Sequence, residues 1–216
     1  MSKFVLPMPE YNRVHQIIHG VIKDEGNVER GCTFFSIVGS YLLNKHYGIA
    51  ATAVAGGFAL CVDDAPKCIF YGKDEGGKFS WGNDGFHMWV QTKDHVIDFM
   101  APIYAESFAI AQPDVVLPRK MFQKRLEDDK QSLDDLQATG DYMVFPDPDL
   151  SEELIDHFLS RPINTDLLGI AEAWFGSRRG KQRPTISMGS NDGIVRHLTL
   201  PPHNSARSLV GIQPRL

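Results

Sequence analysis

Three side chains set the chemistry open to this chain: Cys32, His87 and Asp98. A thiol is a weak nucleophile until a base takes its proton. An imidazole is suited to take it near neutral pH, and a carboxylate behind the imidazole orients the ring and supports its charged form. Together they are the parts of thiol-dependent acyl chemistry. Cys32 stands where a loop meets an apolar run, in Arg30-Gly31-Cys32-Thr33-Phe34-Phe35-Ser36-Ile37-Val38. Phe35, Val38 and Tyr41/Leu42 recur near the helical period and His46-Tyr47-Gly48 closes the run, so the spacing predicts a helix that begins at the cysteine. The positive end of a helix dipole favours a thiolate, and its orphan N–H groups are ready to hold a developing oxyanion. Taken alone, Cys32 also reads as a structural thiol packed like a small hydrophobe.

His87 and Asp98 must be brought together by a hairpin. Phe86-His87-Met88-Trp89-Val90-Gln91 and Val96-Ile97-Asp98-Phe99-Met100 flank a polar turn around Lys93 and Asp94. With the turn centred there, Gln91 faces Val96, Val90 faces Ile97 and Trp89 faces Asp98. Alternation along each strand then puts His87, Trp89 and Asp98 on one face, with His87 diagonal to the acid. A slip of one residue would send Asp98 to the opposite face.

Other elements must carry these pieces. Residues 9–24 predict a helix with Pro9 in its first turn and Val14, Ile17, Ile18, Val21 and Ile22 on its apolar face. His15 and His19 share a face of it, but no His-Glu-x-x-His pattern follows, so they are read as solvated or edge histidines rather than metal ligands. Residues 49–62 read as a strand interrupted by Gly56 and Gly57, with a shorter strand at 68–71. Further on, helices are expected near 102–111, over 121–136 as a charged amphipathic helix, at 151–159 with Asp149 or Ser151 as cap, and at 165–175. Residues 140–149 read as extended. Residues 185–188 and 194–200 flank a turn and read as a hairpin.

Composition narrows the classes. The chain has 216 residues, 43% hydrophobic and 23% charged, with a net charge of −5. That balance suits an ordinary globular protein and argues against a nucleic-acid partner, which wants a basic surface. No apolar run approaches the ~20 residues that span a bilayer, and the N-terminal apolar segment is too short for a secretory signal, so a cytoplasmic protein is expected. Cys61 and Cys68 fit no zinc or redox motif and read as structural thiols. No GxGxxG or P-loop motif is present, and neither cofactor nor metal is expected.

The order and surroundings of these residues resemble the transglutaminase-like core. There a cysteine helix ends in Gly-Ile, as at Gly48-Ile49, and leads into a glycine-bearing strand, as at Gly56-Gly57. His87-Met88-Trp89-Val90-Gln91 followed by Val96-Ile97-Asp98 is similar to that family's His-Ala-Trp-Val-Glu-Val strand and its Asp-Pro strand. Met100-Ala101-Pro102 stands where the proline usually follows the acid directly, and the Arg-Gly-Gly-x-Cys signature of the related arylamine N-acetyltransferases is absent.

The resemblance covers roughly residues 27–102. It implies an α+β, papain-like fold with N-terminal helices packed on an antiparallel β-sheet. It also implies Cys32 as nucleophile, His87 as base and Asp98 as orienting acid. A single domain over 1–216 is expected, with 27–102 as the catalytic core and 103–216 as a helical insertion plus C-terminal strands completing the sheet. For the oxyanion, the Cys32 backbone N–H is a natural donor, with Asn27 or Trp81 as side-chain candidates; both also read as a turn cap and a loop anchor. The expected substrate is a small-molecule or peptide acyl compound. Hydrolysis of a peptide, isopeptide or other amide bond comes first. Acyl transfer from coenzyme A, argued only by the basic loop at Arg178-Arg179, comes second, and a non-catalytic binding module on the same fold is the rival.

Overall fold

The computed structural model describes residues 4–25, 27–62, 68–74, 76, 78–109, 117, 119–178, 180–189 and 193–201. Helix α1 (Met8–Ile22) starts behind Pro7 with Pro9 in its first turn, and it buries Val14, Ile17, Ile18, Val21 and Ile22, the stripe its period predicts. A 3₁₀ turn (Val28–Arg30) leads through Gly31 into α2 (Cys32–Leu42). The last turn of this run widens into a π-helix (Leu43–Tyr47). It ends at Gly48, whose φ of +63° is the left-handed conformation that glycine adopts without a steric cost.

Strand β1 (Ala51–Cys61) organises the sheet. It pairs with β2 (Cys68–Tyr71) over Phe58–Cys61, with β5 (His87–Thr92) over Ala51–Gly56, and with β8 (Tyr142–Asp147) over Ala55–Leu60. Ala55 and Gly56 pair with β5 and β8 at once, and residues 58–60 pair with β2 and β8. So β8 holds one edge of β1, while β5 and β2 follow each other along the other. Beyond β5 come β6 (His95–Asp98) and β7 (Phe122–Arg125), and every pairing is antiparallel. Between β1 and β5, β3 (Lys73–Asp74) and β4 (Phe79–Ser80) form a two-stranded ribbon.

The sheet curls, as its side chains require. Phe122 on β7 lies 5.4 Å, ring to ring, from Phe58 on β1 and 5.4 Å from Tyr142 on β8, although β7 and β8 are the two ends of the strand order. A flat sheet would hold those strands about four spacings of ~4.8 Å apart. The concave face is filled by Phe58, Trp89, Phe122 and Tyr142, all buried, and α3 (Tyr104–Ala109) adds Tyr104 and Phe108 against Tyr71.

Helix α2 packs against β5 and β1, and α1 against α2. The approach is close because Gly39 has no side chain: a Cβ there would lie 2.5 Å from Phe99 Cδ2 and 3.3 Å from Val90 Cγ2. Gly39→Val is therefore expected to lower unfolding free energy by about 2–3 kcal/mol through overpacking. The midpoint of urea unfolding reads this directly, and an unchanged midpoint would contradict the packing described.

Helix α4 (Pro148–Leu159) is capped by Asp147, whose carboxylate accepts from Leu150 N at 3.0 Å. The expected caps, Asp149 and Ser151, fall inside the helix. Ser151 instead accepts from Ala55 N at 2.8 Å and so pins α4 to β1. Of the positions expected to face inward, helix α5 (Pro162–Gly176) buries Leu167, Ala171 and Trp174 and leaves Leu168 and Ile170 half-buried. Two expectations are corrected. Residues 121–136 form no long helix; they give β7 and two 3₁₀ turns (Leu126–Asp128 and Leu133–Asp135). The C-terminal strands β9 (Thr185–Gly189) and β10 (Val195–Thr199) pair with each other rather than completing the main sheet. β7 and β8 extend it instead. The turn at 190–192 lies outside the described residues. β10 rests on α1, where Lys23 donates to Thr199 Oγ1 at 2.6 Å. Among the described residues no helix is long and apolar enough to cross a membrane.

Candidate active site

The hairpin register decides whether base and acid meet. Val90 pairs with Ile97 and Gln91 with Val96, as a turn centred on Lys93 and Asp94 predicts. His87 and Asp98 therefore share the concave face, and His87 Nε2 lies 2.5 Å from Asp98 Oδ2. Both side chains are fully buried. A buried carboxylate is tolerable only when its lone pairs are met, and these are. Asp98 Oδ1 accepts from Met100 N at 2.7 Å, and Oδ2 also accepts from the Tyr104 hydroxyl. The Tyr11 hydroxyl donates to the Asp98 main-chain carbonyl and accepts from Phe122 N, so α1 and β7 both hold the acid's backbone.

Burial by itself would depress the His87 pKa. The Asp98 charge and hydrogen bond, reinforced by Cys32, overcome it and raise the ring to about 9. His87 is thus cationic at neutral pH. Its Nε2 is committed to Asp98, with the Tyr104 hydroxyl 3.4 Å away. Nδ1 is buried and has no hydrogen-bond partner among the described residues, and Cys32 lies near enough to raise the ring's pKa further. The thiol is the first residue of α2 and 8% exposed, at the rim of an otherwise closed site.

A hydrogen bond ties the cysteine helix to the histidine strand. One turn into α2, Ser36 Oγ donates to the Met88 carbonyl at 2.7 Å, beside His87. Gly31 lets the chain turn tightly before the cysteine, since a Cβ there would lie 2.9 Å from the Val28 carbonyl and 3.0 Å from Ile22 Cδ1. Tyr71 of β2 stacks on the His87 ring at 4.2 Å with planes 24° apart, and Phe58 packs at 5.1 Å. Burial first, and then the Asp98 charge, push the Tyr71 and Tyr104 hydroxyls well above the ordinary phenol range, so both stay protonated.

Residues 7–208 match the family described as protein of unknown function DUF2026. The chain belongs to that family. A solved structure, the crystal structure of genomics APC5867, is 22% identical with a TM-score of 0.80, over 93% of this chain and 95% of that one. That likeness establishes the fold alone. No curated protein matches the chain.

The remaining candidates of this DUF2026 chain are placed differently. Asn27 is exposed just before the Val28–Arg30 turn; its carbonyl accepts from Arg30 N at 3.0 Å, and its side chain makes no capping bond. Trp81 is an anchor. Its Nε1–H donates to Asp147 Oδ2 at 3.2 Å, its ring stacks on Phe145 at 5.0 Å, and it covers Gly57. The indole donor is thus engaged by the α4 cap and is not part of the Cys32–His87–Asp98 line. His15 is no solvated histidine: it is buried, its Nδ1 meets the Phe99 carbonyl at 2.7 Å, and burial lowers it to about 4. Among the described residues no group of three or more His, Cys, Asp or Glu side chains gathers to hold a metal.

Sequence reasoning missed the DUF2026 site's three tyrosines, Tyr11, Tyr71 and Tyr104. Only Tyr104 left a trace, as a polar-tipped aromatic early in the helix expected after the acid.

Proposed function

We propose that this DUF2026 protein is a cysteine-dependent hydrolase of a peptide, isopeptide or other amide bond, working through an acyl-enzyme on Cys32 within a papain-like, transglutaminase-like fold. The observation that carries this reading is the His87 ring, whose Nε2 meets Asp98, whose buried Nδ1 has no partner among the described residues, and whose pKa is raised by Cys32 as well as by the acid.

In the proposed cycle, His87 holds the thiol's proton on Nδ1 from the outset, and Cys32 Sγ attacks the carbonyl carbon as the thiolate. The Cys32 backbone N–H, at the start of α2, supports the oxyanion. His87 returns the proton to the departing amine, leaving a thioester. A water molecule, its proton taken by His87, then attacks that thioester and frees the acid and the thiol. Asp98 keeps the ring oriented throughout, and Tyr104 and Met100 N keep Asp98 in place. Transfer from coenzyme A rested on the basic loop. Arg178 there is paired with Glu10 at 2.6 Å, and Arg179 lies outside the described residues, so hydrolysis is preferred.

Two measurements test this. An activated ester of a short acyl group should leave one acyl adduct, seen by intact mass and mapped to Cys32. Iodoacetamide at pH 6 should alkylate Cys32 ahead of Cys61 and Cys68, with His87→Ala slowing it at least about tenfold. Three cysteines reacting at one slow rate would sink the enzymatic reading.

A further inference from the structure

Cys61 and Cys68 stand opposite each other in the β1–β2 register. Cys61 N donates to the Asp141 carbonyl at 2.8 Å, and the Cys61 carbonyl accepts from Gly140 N at 2.8 Å. A strand residue directs both backbone groups to one edge, so Cys61 spends neither on Cys68. The two cysteines are therefore a non-hydrogen-bonded antiparallel pair, in which Cα atoms approach to about 4.5 Å and side chains are closest. A disulfide requires Cα atoms about 4.4–6.8 Å apart. Both side chains also converge on one group. Cys61 packs with Ala59, Leu136 and Met143, while Cys68 Sγ donates to the Leu136 carbonyl at 3.9 Å. Their exposure is unequal: Cys61 is buried and Cys68 is exposed. Burial, with Cys68 as neighbour, pushes the Cys61 thiol up to about 12.

We propose that Cys61 and Cys68 form a cross-strand dithiol that closes to an intramolecular disulfide when a low-molecular-weight disulfide is the oxidant. The exposed Cys68, as thiolate, attacks one sulfur of the oxidant. The oxidant's S–S bond breaks, a mixed disulfide forms on Cys68, and the first small thiolate leaves. Cys61 gives its proton to solvent and attacks Cys68 Sγ, so the protein S–S bond forms as the second thiolate leaves. Two electrons pass to the oxidant, and the two released thiolates take up protons. The inference needs no assumption about Cys32. Its consequence does reach the candidate site, because β2 carries Tyr71, which covers His87. The bond would fasten that strand to β1.

The test uses the full chain with oxidised glutathione. Intact mass is expected to fall by about 2 Da, for two lost hydrogens. Trypsin cuts after Lys45, Lys67 and Lys73, so peptides 46–67 and 68–73 should stay joined until reduced. Cys68→Ser, at an exposed position, should fold normally and yield at least about tenfold less of the 2 Da species. A stable glutathione adduct on Cys68 with Cys61 still free would overturn the proposal. So would a disulfide that includes Cys32.

Discussion

Asp98→Ala is expected to lower the free energy of unfolding by about 3–5 kcal/mol, the cost of removing one partner of a buried charged pair. The loss is large because three donors converge on that carboxylate: the His87 ring, the Tyr104 hydroxyl and Met100 N. Each would be left buried without its acceptor. The pH dependence should change as well. His87 is raised from 6.5 to about 9 in the folded protein, so its contribution is complete below about pH 6.5 and disappears as pH rises through 9. Over that window the folded state binds more protons than the unfolded state, and stability falls with pH by about 3 kcal/mol in total. Removing Asp98 removes the charge that raises the ring, so the variant should start lower and lose this slope. Urea unfolding at pH 6 and pH 10 measures both effects. Parallel curves for the two proteins would contradict the role given to Asp98.

Gly56→Ala is expected to be the most damaging single methyl addition, costing about 4 kcal/mol or more. Gly56 has a φ of +156°, and a Cβ there would lie 1.9 Å from the Phe145 carbonyl oxygen and 3.2 Å from Asp147 N. Those neighbours are backbone, so no side chain can rotate away. The position also faces Pro146 on one side and His87 on the other. Relief requires β8 to separate from β1, or β1 to shift against the strand that carries the proposed base. Guanidinium unfolding should show a much lower midpoint, and hydrogen exchange should speed up along 142–147. A loss below about 1 kcal/mol would mean that the two strands part easily there.

How far the sequence could be read depended on whether the deciding contacts were local. The α1 stripe, the helix start at Cys32 and the hairpin register follow from period and turn chemistry within one segment, and these agree with the structure. The run 121–136 does not follow from its own spacing. Phe122, Leu126, Leu133 and Leu136 sit near a helical period, yet Phe122 pairs with Asp98 and places its ring between Phe58 and Tyr142. A free edge at β6 outweighed a weak helical preference. Trp81 reads both as a loop anchor and as an oxyanion donor, and its partner Asp147, 66 residues away, decides for the anchor. The tyrosines around the acid escaped for the same reason, since each arrives from a different element.

Tyr11 joins what the linear order keeps apart. One phenol oxygen on the first helix links the main chain at the acid to the main chain of a strand that follows it by more than twenty residues. The stretch bearing sulfur, imidazole and carboxylate is therefore not a cassette that could be excised or grafted onto another scaffold. Its shape is held from outside, by segments that flank it in the sequence.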